Sequence, residues 1–263
     1  MTATAVALAL LLVAGSAGAA TSDRPPLLRD VGIEARLGAP VPLDLAFRDE
    51  DGNAVTLARY FGERPVVLSL VYFGCPMLCG EVLGGLTTAL RGVGLEPGTD
   101  FTALTVSFDP RDGPEAARRR KAEIVGRYGR PGAETGWRFL TGDADAIRRL
   151  TDAVGFRYAW DDVGQQFAHT AMVTVLTPEG RVSRYYQGIE YMPRDLRLGL
   201  VEASAGRIGS IADRVLLFCY RYDGATGRYT MTVERAVRVG GLLTFLALGT
   251  LVGVLLRRER GPA

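Results

Sequence analysis

Cysteine, histidine and lysine are all scarce in this chain. Its 263 residues hold three cysteines (Cys75, Cys79 and Cys219), one histidine (His169) and one lysine (Lys121). Three cysteines are too few for a disulfide-framework fold. An excess of charge of one sign is missing as well. The formal charge of +2 and a pI near 8.5 do not describe a nucleic-acid binder. With arginine supplying almost every positive charge, the basic content reads as codon bias rather than a phosphate-binding design. The only basic run, Arg118-Arg119-Arg120-Lys121, falls in an expected helix beside Glu115 and Glu123 and reads as a solvated face. Internal repeats and low-complexity segments are absent too. What remains is ordinary globular composition, 48% hydrophobic and 23% charged, enough for one well-buried domain with attached segments.

Both ends are apolar, in different ways. Residues 5–15 form a short apolar run followed by Ser16-Ala17-Gly18-Ala19-Ala20, the pattern of a secretory signal peptide cleaved after Ala19 or Ala20. No Lys or Arg precedes that run, and the alternative is an uncleaved N-terminal anchor. Residues 239–256 carry no charge. As a helix they would span about 27 Å at ~1.5 Å per residue, close to the ~30 Å bilayer core. Arg257, Arg258 and Arg260 follow at once, placed to reach the headgroups. The alternative there is a buried soluble helix. The expected topology is an exported domain anchored at its C-terminus, with the basic tail in the cytoplasm. In an oxidising compartment, two cysteines four apart invite a reversible disulfide or a metal.

Between these ends, residues 25–42 read as an irregular lead-in. Residues 43–47 and 54–57, joined at Asp51-Gly52, read as a β-hairpin. The run 66–73 is β-branched and aromatic without charge, suiting a central strand buried on both faces. A helix is expected over 77–90, a strand over 101–108, and a helix over 114–128 with Pro114 in its first turn. Then come 137–140, a helix over 143–154, a strand over 156–160, a hairpin of 170–177 with 181–187 about Pro178-Glu179-Gly180, and a closing helix over 193–205. Strands alternating with helices argue for an α/β sheet, and a terminal hairpin plus helix is the thioredoxin pattern. The expected fold is thioredoxin-like α/β with an N-terminal β-hairpin extension and a C-terminal transmembrane helix. The expected division is a signal peptide over 1–20, the domain over 21–207, a juxtamembrane extension over 208–238, the transmembrane helix over 239–256 and a tail over 257–263.

The sharpest chemical signal is Cys75-Pro76-Met77-Leu78-Cys79. Pro76 at the first helical position would put Cys75 at the N-cap and Cys79 one turn in. A helix N-terminus has unpaired N–H groups and a positive dipole end, which favour thiolate over thiol. Residues four apart share a helical face, so both sulfurs can address one atom. Thiolate pairs select Cu(I) or Zn, and an added imidazole suits Cu(II). Three residues between the cysteines, rather than the two of thioredoxin-type reductases, leave room for a metal. His169, immediately before the strand expected over 170–177, would lie at the same end of the sheet and complete a three-ligand set with an open fourth position.

Phe73-Gly74-Cys75-Pro76-Met77-Leu78-Cys79, Ser107-Phe108-Asp109-Pro110-Arg111-Asp112 and Phe167-Ala168-His169-Thr170, in this order, resemble the three signature blocks of Sco/SenC proteins, over roughly residues 40–205. The resemblance implies a thioredoxin-like fold and Cu(I)/Cu(II) binding by Cys75, Cys79 and His169. It also implies assembly of the binuclear copper centre of cytochrome c oxidase, with the copper-bearing oxidase subunit as partner. The chain departs from that family in its expected C-terminal anchor, where the family's is usually N-terminal. The corresponding location is a bacterial inner membrane, with the domain facing the periplasm.

For Asp109 the resemblance implies a place near the metal, and the alternative for Asp109 and Asp112 alike is the turn chemistry of a helix entry. Asp161 and Asp162 read as a solvated loop, Met77 and Met172 as core, and Cys219 as a small buried residue or a further copper or partner contact. Three functions compete: a metallochaperone, a thiol–disulfide oxidoreductase using a Cys75–Cys79 redox disulfide, and a copper or redox sensor.

Overall fold

The structure, a computed structural model, describes residues 31–75, 78–209, 222–223, 228–229, 241–246 and 248–250. The expected signal peptide over 1–20, Pro76 and Met77, Cys219 and the tail over 257–263 therefore lie outside the described residues.

The domain is built on a five-stranded sheet, in the order β11-β10-β4-β5-β6. Strand β4 (Val66–Val71) is fully buried along its length and occupies the centre, as its uninterrupted apolar run demands. It is parallel to β5 (Thr102–Ser107), which is parallel to β6 (Trp137–Leu140). On the other side β10 (Met172–Leu176) runs antiparallel to β4, and β11 (Val182–Gln187) antiparallel to β10. Polar residues inside this sheet answer one another: the Ser69 and Thr105 hydroxyls are 2.8 Å apart, and Trp137 Nε1–H donates to Thr105 Oγ1 at 2.9 Å.

Four longer helices and one short one connect and cover the strands. Helix α1 (Leu78–Gly92) links β4 to β5, and α2 (Pro114–Tyr128), followed by the short α3 (Ala133–Gly136), links β5 to β6. Pro114 sits in the first turn of α2, and Gly129 ends it with φ 64°, a conformation glycine adopts without strain. Helix α4 (Ala144–Ala153) is capped by Asp143, whose carboxylate accepts from Ala146 N–H at 2.8 Å. Helix α5 (Pro193–Ser204) closes the domain against α1 and β10.

The expected N-terminal hairpin is present as β2 (Ala46–Arg48) and β3 (Ala54–Thr56). Arg48 and Thr141 exchange backbone hydrogen bonds just beyond β6, so the hairpin shields that end of the sheet. The lead-in is less irregular than its sequence suggests. Within it β1 (Gly32–Ile33) pairs with β7 (Phe156–Arg157), and residues 38–41 bond to Val182 and Gly180 along β11. The first joins strands of two residues and the second centres on one bridge, Pro40 with Arg181, both too short for any periodicity to register.

Two further expectations need correction. The strand expected over 156–160 divides into β7 and β8 (Ala159–Asp161), and the polar loop after it is the turn of a hairpin between β8 and β9 (Gln166–Ala168). The basic run on α2 is not simply a solvated face. Lys121 Nζ bonds the buried Glu50 at 2.7 Å, Arg118 reaches the Glu50 carbonyl, and Arg120 donates to the Phe73 carbonyl at 2.9 Å. Only Arg119, paired with Glu115 one turn away, keeps the expected character. The partners lie more than 45 positions away in the sequence, beyond the reach of a local charge pattern.

Among the described residues no helix is long and apolar enough to cross a membrane. The span expected over 239–256 is described only in part. Residues 241–246 and 248–250 are helical and exposed, with Leu242, Leu243, Phe245, Leu246 and Leu248 open to the surroundings.

Candidate metal centre

The C-terminal end of β4 gathers the three proposed ligands. Cys75 follows β4 after a short turn in which its N–H donates to Tyr72 O at 3.2 Å, and Cys79 lies in the first turn of α1. Residue Val173 pairs with Ser69, so the antiparallel register brings the start of β10 alongside the end of β4. His169, three residues before β10, arrives there from the exit of β9. Ligand atoms of Cys75, Cys79 and His169 all lie within 4.8 Å of one another.

Hydrogen bonds orient each of them. Cys79 N–H donates to Cys75 Sγ at 3.3 Å, and Tyr72 N–H donates to Cys79 Sγ at 3.4 Å. Cys79 Sγ is 3.5 Å from His169 Nε2. His169 Nδ1 is 3.0 Å from the Thr170 carbonyl, which can only accept, so Nδ1 carries a proton. In the neutral ring Nε2 is then left with its lone pair, directed at the sulfur. Cys79 is buried and Cys75 half-buried.

Burial changes the electrostatics expected from a helix end. It pushes the Cys79 thiol well above its ordinary range, and the hydrogen bond with Cys75 adds to the effect. Burial thus outweighs the positive end of the helix at Cys79 and disfavours its charged form. Tyr72 is also pushed up, first by burial and then by the hydrogen bond of its side chain with Cys75.

An aromatic wall lies behind the imidazole. The rings of Phe108, Tyr72 and Phe156 stand 5.1, 6.0 and 6.1 Å from that of His169. Phe167 packs edge-on against Phe108 and Tyr72, and Trp160 against Phe167. Such a wall keeps water from one side of the sulfur and nitrogen donors and lowers the local dielectric.

Both aspartates serve the turn before α2, where Arg111 N–H donates to Asp109 Oδ1 at 2.9 Å and Asp112 N–H to the Asp109 carbonyl at 3.0 Å. Neither aspartate caps α2, whose N-cap is Gly113. Asp112 Oδ2 accepts from Phe73 N–H at 2.7 Å and Ser107 Oγ–H at 2.6 Å, so it fixes the turn that leads into Cys75. Asp109 is buried and grips Arg111 with both carboxylate oxygens, at 2.8 to 3.1 Å. Met172 is a core residue as expected, and Asp161 accepts from Val163 N–H in the β8–β9 turn. Sequence reasoning missed Tyr72, Trp160 and Arg111, whose roles depend on rings and charges brought together by the fold.

The SCO1/SenC family matches residues 35–197, more than half of the chain. The chain therefore belongs to that family. No curated protein matches it. Among solved structures it is similar to an Aquifex aeolicus VF5 protein provisionally described as an electron transfer protein. The two share 30% identity with a TM-score of 0.57, over 65% of this chain and 95% of that one. Two others share the fold. One is Arabidopsis thaliana ScoI with copper bound, at 21% identity and a TM-score of 0.50, over 65% of this chain and 99% of that one. The other is BsSco, described as a member of the Sco family of cytochrome c oxidase assembly proteins and as containing a disulfide switch. It has 22% identity and a TM-score of 0.50, over 66% of this chain and 98% of that one.

Proposed function

We propose that this SCO1/SenC protein is a copper metallochaperone, binding Cu(I)/Cu(II) through Cys75, Cys79 and His169 and delivering it to the binuclear copper centre of cytochrome c oxidase. The observation that carries the reading is the tautomer lock. With Nδ1–H committed to the Thr170 carbonyl, Nε2 faces Cys79 Sγ at 3.5 Å, and the ligand atoms of Cys75, Cys79 and His169 lie within 4.8 Å of one another. Two sulfurs and one imidazole are a soft-to-borderline set that fits copper, the sulfurs suiting Cu(I) and the imidazole supporting Cu(II). A bound cation would stabilise the thiolates against the burial that disfavours them, with release of protons. The copper-bound relative and the oxidase-assembly family of BsSco support the choice of cargo and acceptor.

A second reading, a thiol–disulfide oxidoreductase acting on the oxidase copper-ligand cysteines, is favoured by the closeness of the same two sulfurs. A copper or redox sensor would use this site too. The distinction rests on His169, since exchange needs a thiolate nucleophile and copper delivery an imidazole as well. In cells at low external copper, His169→Ala should assemble oxidase poorly and recover when copper is added, while Cys75→Ser fails in both conditions. Normal oxidase in His169→Ala with none in Cys75→Ser would replace delivery by the reductase reading.

The division of the chain belongs to the same proposal. Residues 1–20 would be a cleaved signal, 21–207 the copper domain, 208–238 a juxtamembrane extension, 239–256 the membrane anchor and 257–263 a cytoplasmic tail. The charge-free sequence of 239–256 and the exposed leucines at 242, 243, 246 and 248 support the anchor. The domain would then face the periplasm from a bacterial inner membrane.

A further inference from the structure

The β8–β9 hairpin, whose last strand delivers His169, forms a two-stranded sheet of its own and has no strand pairing to the main sheet. Beyond its chain connections to β7 and β10, its place is fixed by side chains. On the wall side, Phe167 meets Phe108 and Tyr72. On the solvent side the Arg111 guanidinium lies 4.5 Å from the ring centre of Trp160 in β8 and 5.5 Å from that of Phe167 in β9. Trp160 and Phe167 are register partners, so this one group covers both strands. Arg111 is itself fixed by Asp109, which is only 5% exposed and accepts from Nε and Nη2 in a two-pronged grip. Its outer face is open, with 61% of the side chain exposed.

We infer that Arg111 is a positioning residue for His169, clamping the β8–β9 hairpin so that the imidazole meets the two sulfurs. The loop from Phe108 to Asp112 then serves both halves of the centre. Asp112 fixes the backbone before Cys75, and Arg111 fixes the hairpin before His169, three residues beyond Trp160's partner strand begins. Lysine can replace it only in part, because an ammonium has neither the planar face to stack on Trp160 nor the fork that fits Asp109.

The inference rests on the proposed ligand role of His169, but its test separates the two. His169 is the only histidine, so the ring nitrogens of the full chain labelled with 15N-histidine give one assignable pair of signals. In the copper-free protein the parent should show a single Nδ1–H tautomer. Arg111→Ala should shift these signals toward the averaged values of a mobile ring, with Arg111→Lys between. Arg119→Ala, on the exposed face of α2, should leave them unchanged. With copper, Arg111→Ala should lose about tenfold in Cu(II) affinity. Cu(I) affinity should stay near the parent's, because two thiolates alone satisfy Cu(I). If Arg111→Ala does not fold, Trp160→Leu removes the other half of the stack and decides the matter by the same signals. Parent-like ring signals in a folded Arg111→Ala or Trp160→Leu protein would overturn the inference. So would equal losses of Cu(I) and Cu(II) affinity that follow the loss of stability. A shifted ring without copper binding in the parent would instead uphold the clamp and defeat the metal reading.

Discussion

Asp112→Ala isolates the contact that ties the cysteine turn to the sheet. One carboxylate oxygen accepts from both Phe73 N–H and Ser107 Oγ–H. Hydrogen bonds to a charged acceptor each contribute roughly 1.5–3 kcal/mol. The two do not add, because the Ser107 hydroxyl can turn elsewhere and already accepts from Asp109 N–H at 3.2 Å. Phe73 N–H has no such freedom, and its carbonyl is held separately by Arg120. The stranded N–H therefore sets the magnitude, about 2–3 kcal/mol. In a domain of this size that corresponds to roughly 5–10 °C in melting midpoint. Ser107→Ala, which removes only the hydroxyl, should cost about 1 kcal/mol. Urea unfolding measures both losses. Alkylation of Cys75 in the native protein reads the local effect, and it should accelerate in Asp112→Ala under conditions where the domain stays folded. An Asp112→Ala protein within about 0.5 kcal/mol of the parent, with unchanged Cys75 reactivity, would show that the carboxylate does not hold the turn.

Three further outcomes follow from other parts of the molecule. Gly85 in α1 faces the loop after β11, and an added Cβ would overlap the Ile189 carbonyl oxygen and come within 2.9 Å of its carbon; Gly85→Ala should therefore lose about 3 kcal/mol in urea unfolding. Burial acts to raise the Asp49 carboxyl, but hydrogen bonds from Asn53 and from the N–H groups of Asn53 and Asp51, with the charge of Arg138, outweigh it and hold the group below its ordinary value. Its stabilising effect is complete above the unfolded value of about 3.9 and lost as pH falls through the lower folded value, so the urea midpoint of the parent should drop more steeply below about pH 4 than that of Asp49→Asn. If residues 239–256 anchor the chain, truncation after Arg238 should move it from the membrane fraction to the soluble one, and unchanged partitioning would defeat that assignment.

The main sheet was legible because its strands advertise themselves. Residues 66–71 are apolar on both faces, and 114–128 open on proline and close on glycine, so β4 and α2 emerged within a residue or two of expectation. The three candidate ligands are read from chemistry, being two thiols one turn apart and the only imidazole, and the fold brings their donor atoms within 4.8 Å of one another. What escaped were features that exist only between distant segments. Strand β1 has two residues and makes sense only beside β7. The hairpin turn at Asp161 to Gln166 looks like polar loop because both of its strands are three residues long. Lys121 looks solvated until Glu50, 71 positions away, is folded beneath it. Cys79 illustrates the same limit in its chemistry: the sequence places it near a helix start, but only the packing shows that burial outweighs the helix field.

The central claim is tested most directly by titrating copper into the reduced full-length chain and reading stoichiometry, optical absorption and electron paramagnetic resonance together. One copper per chain is predicted, with a strong sulfur-to-Cu(II) charge-transfer band and coupling to a single imidazole nitrogen that disappears in His169→Ala. Undiminished stoichiometry and an unchanged spectrum in the Cys75→Ala, Cys79→Ala double variant would contradict it.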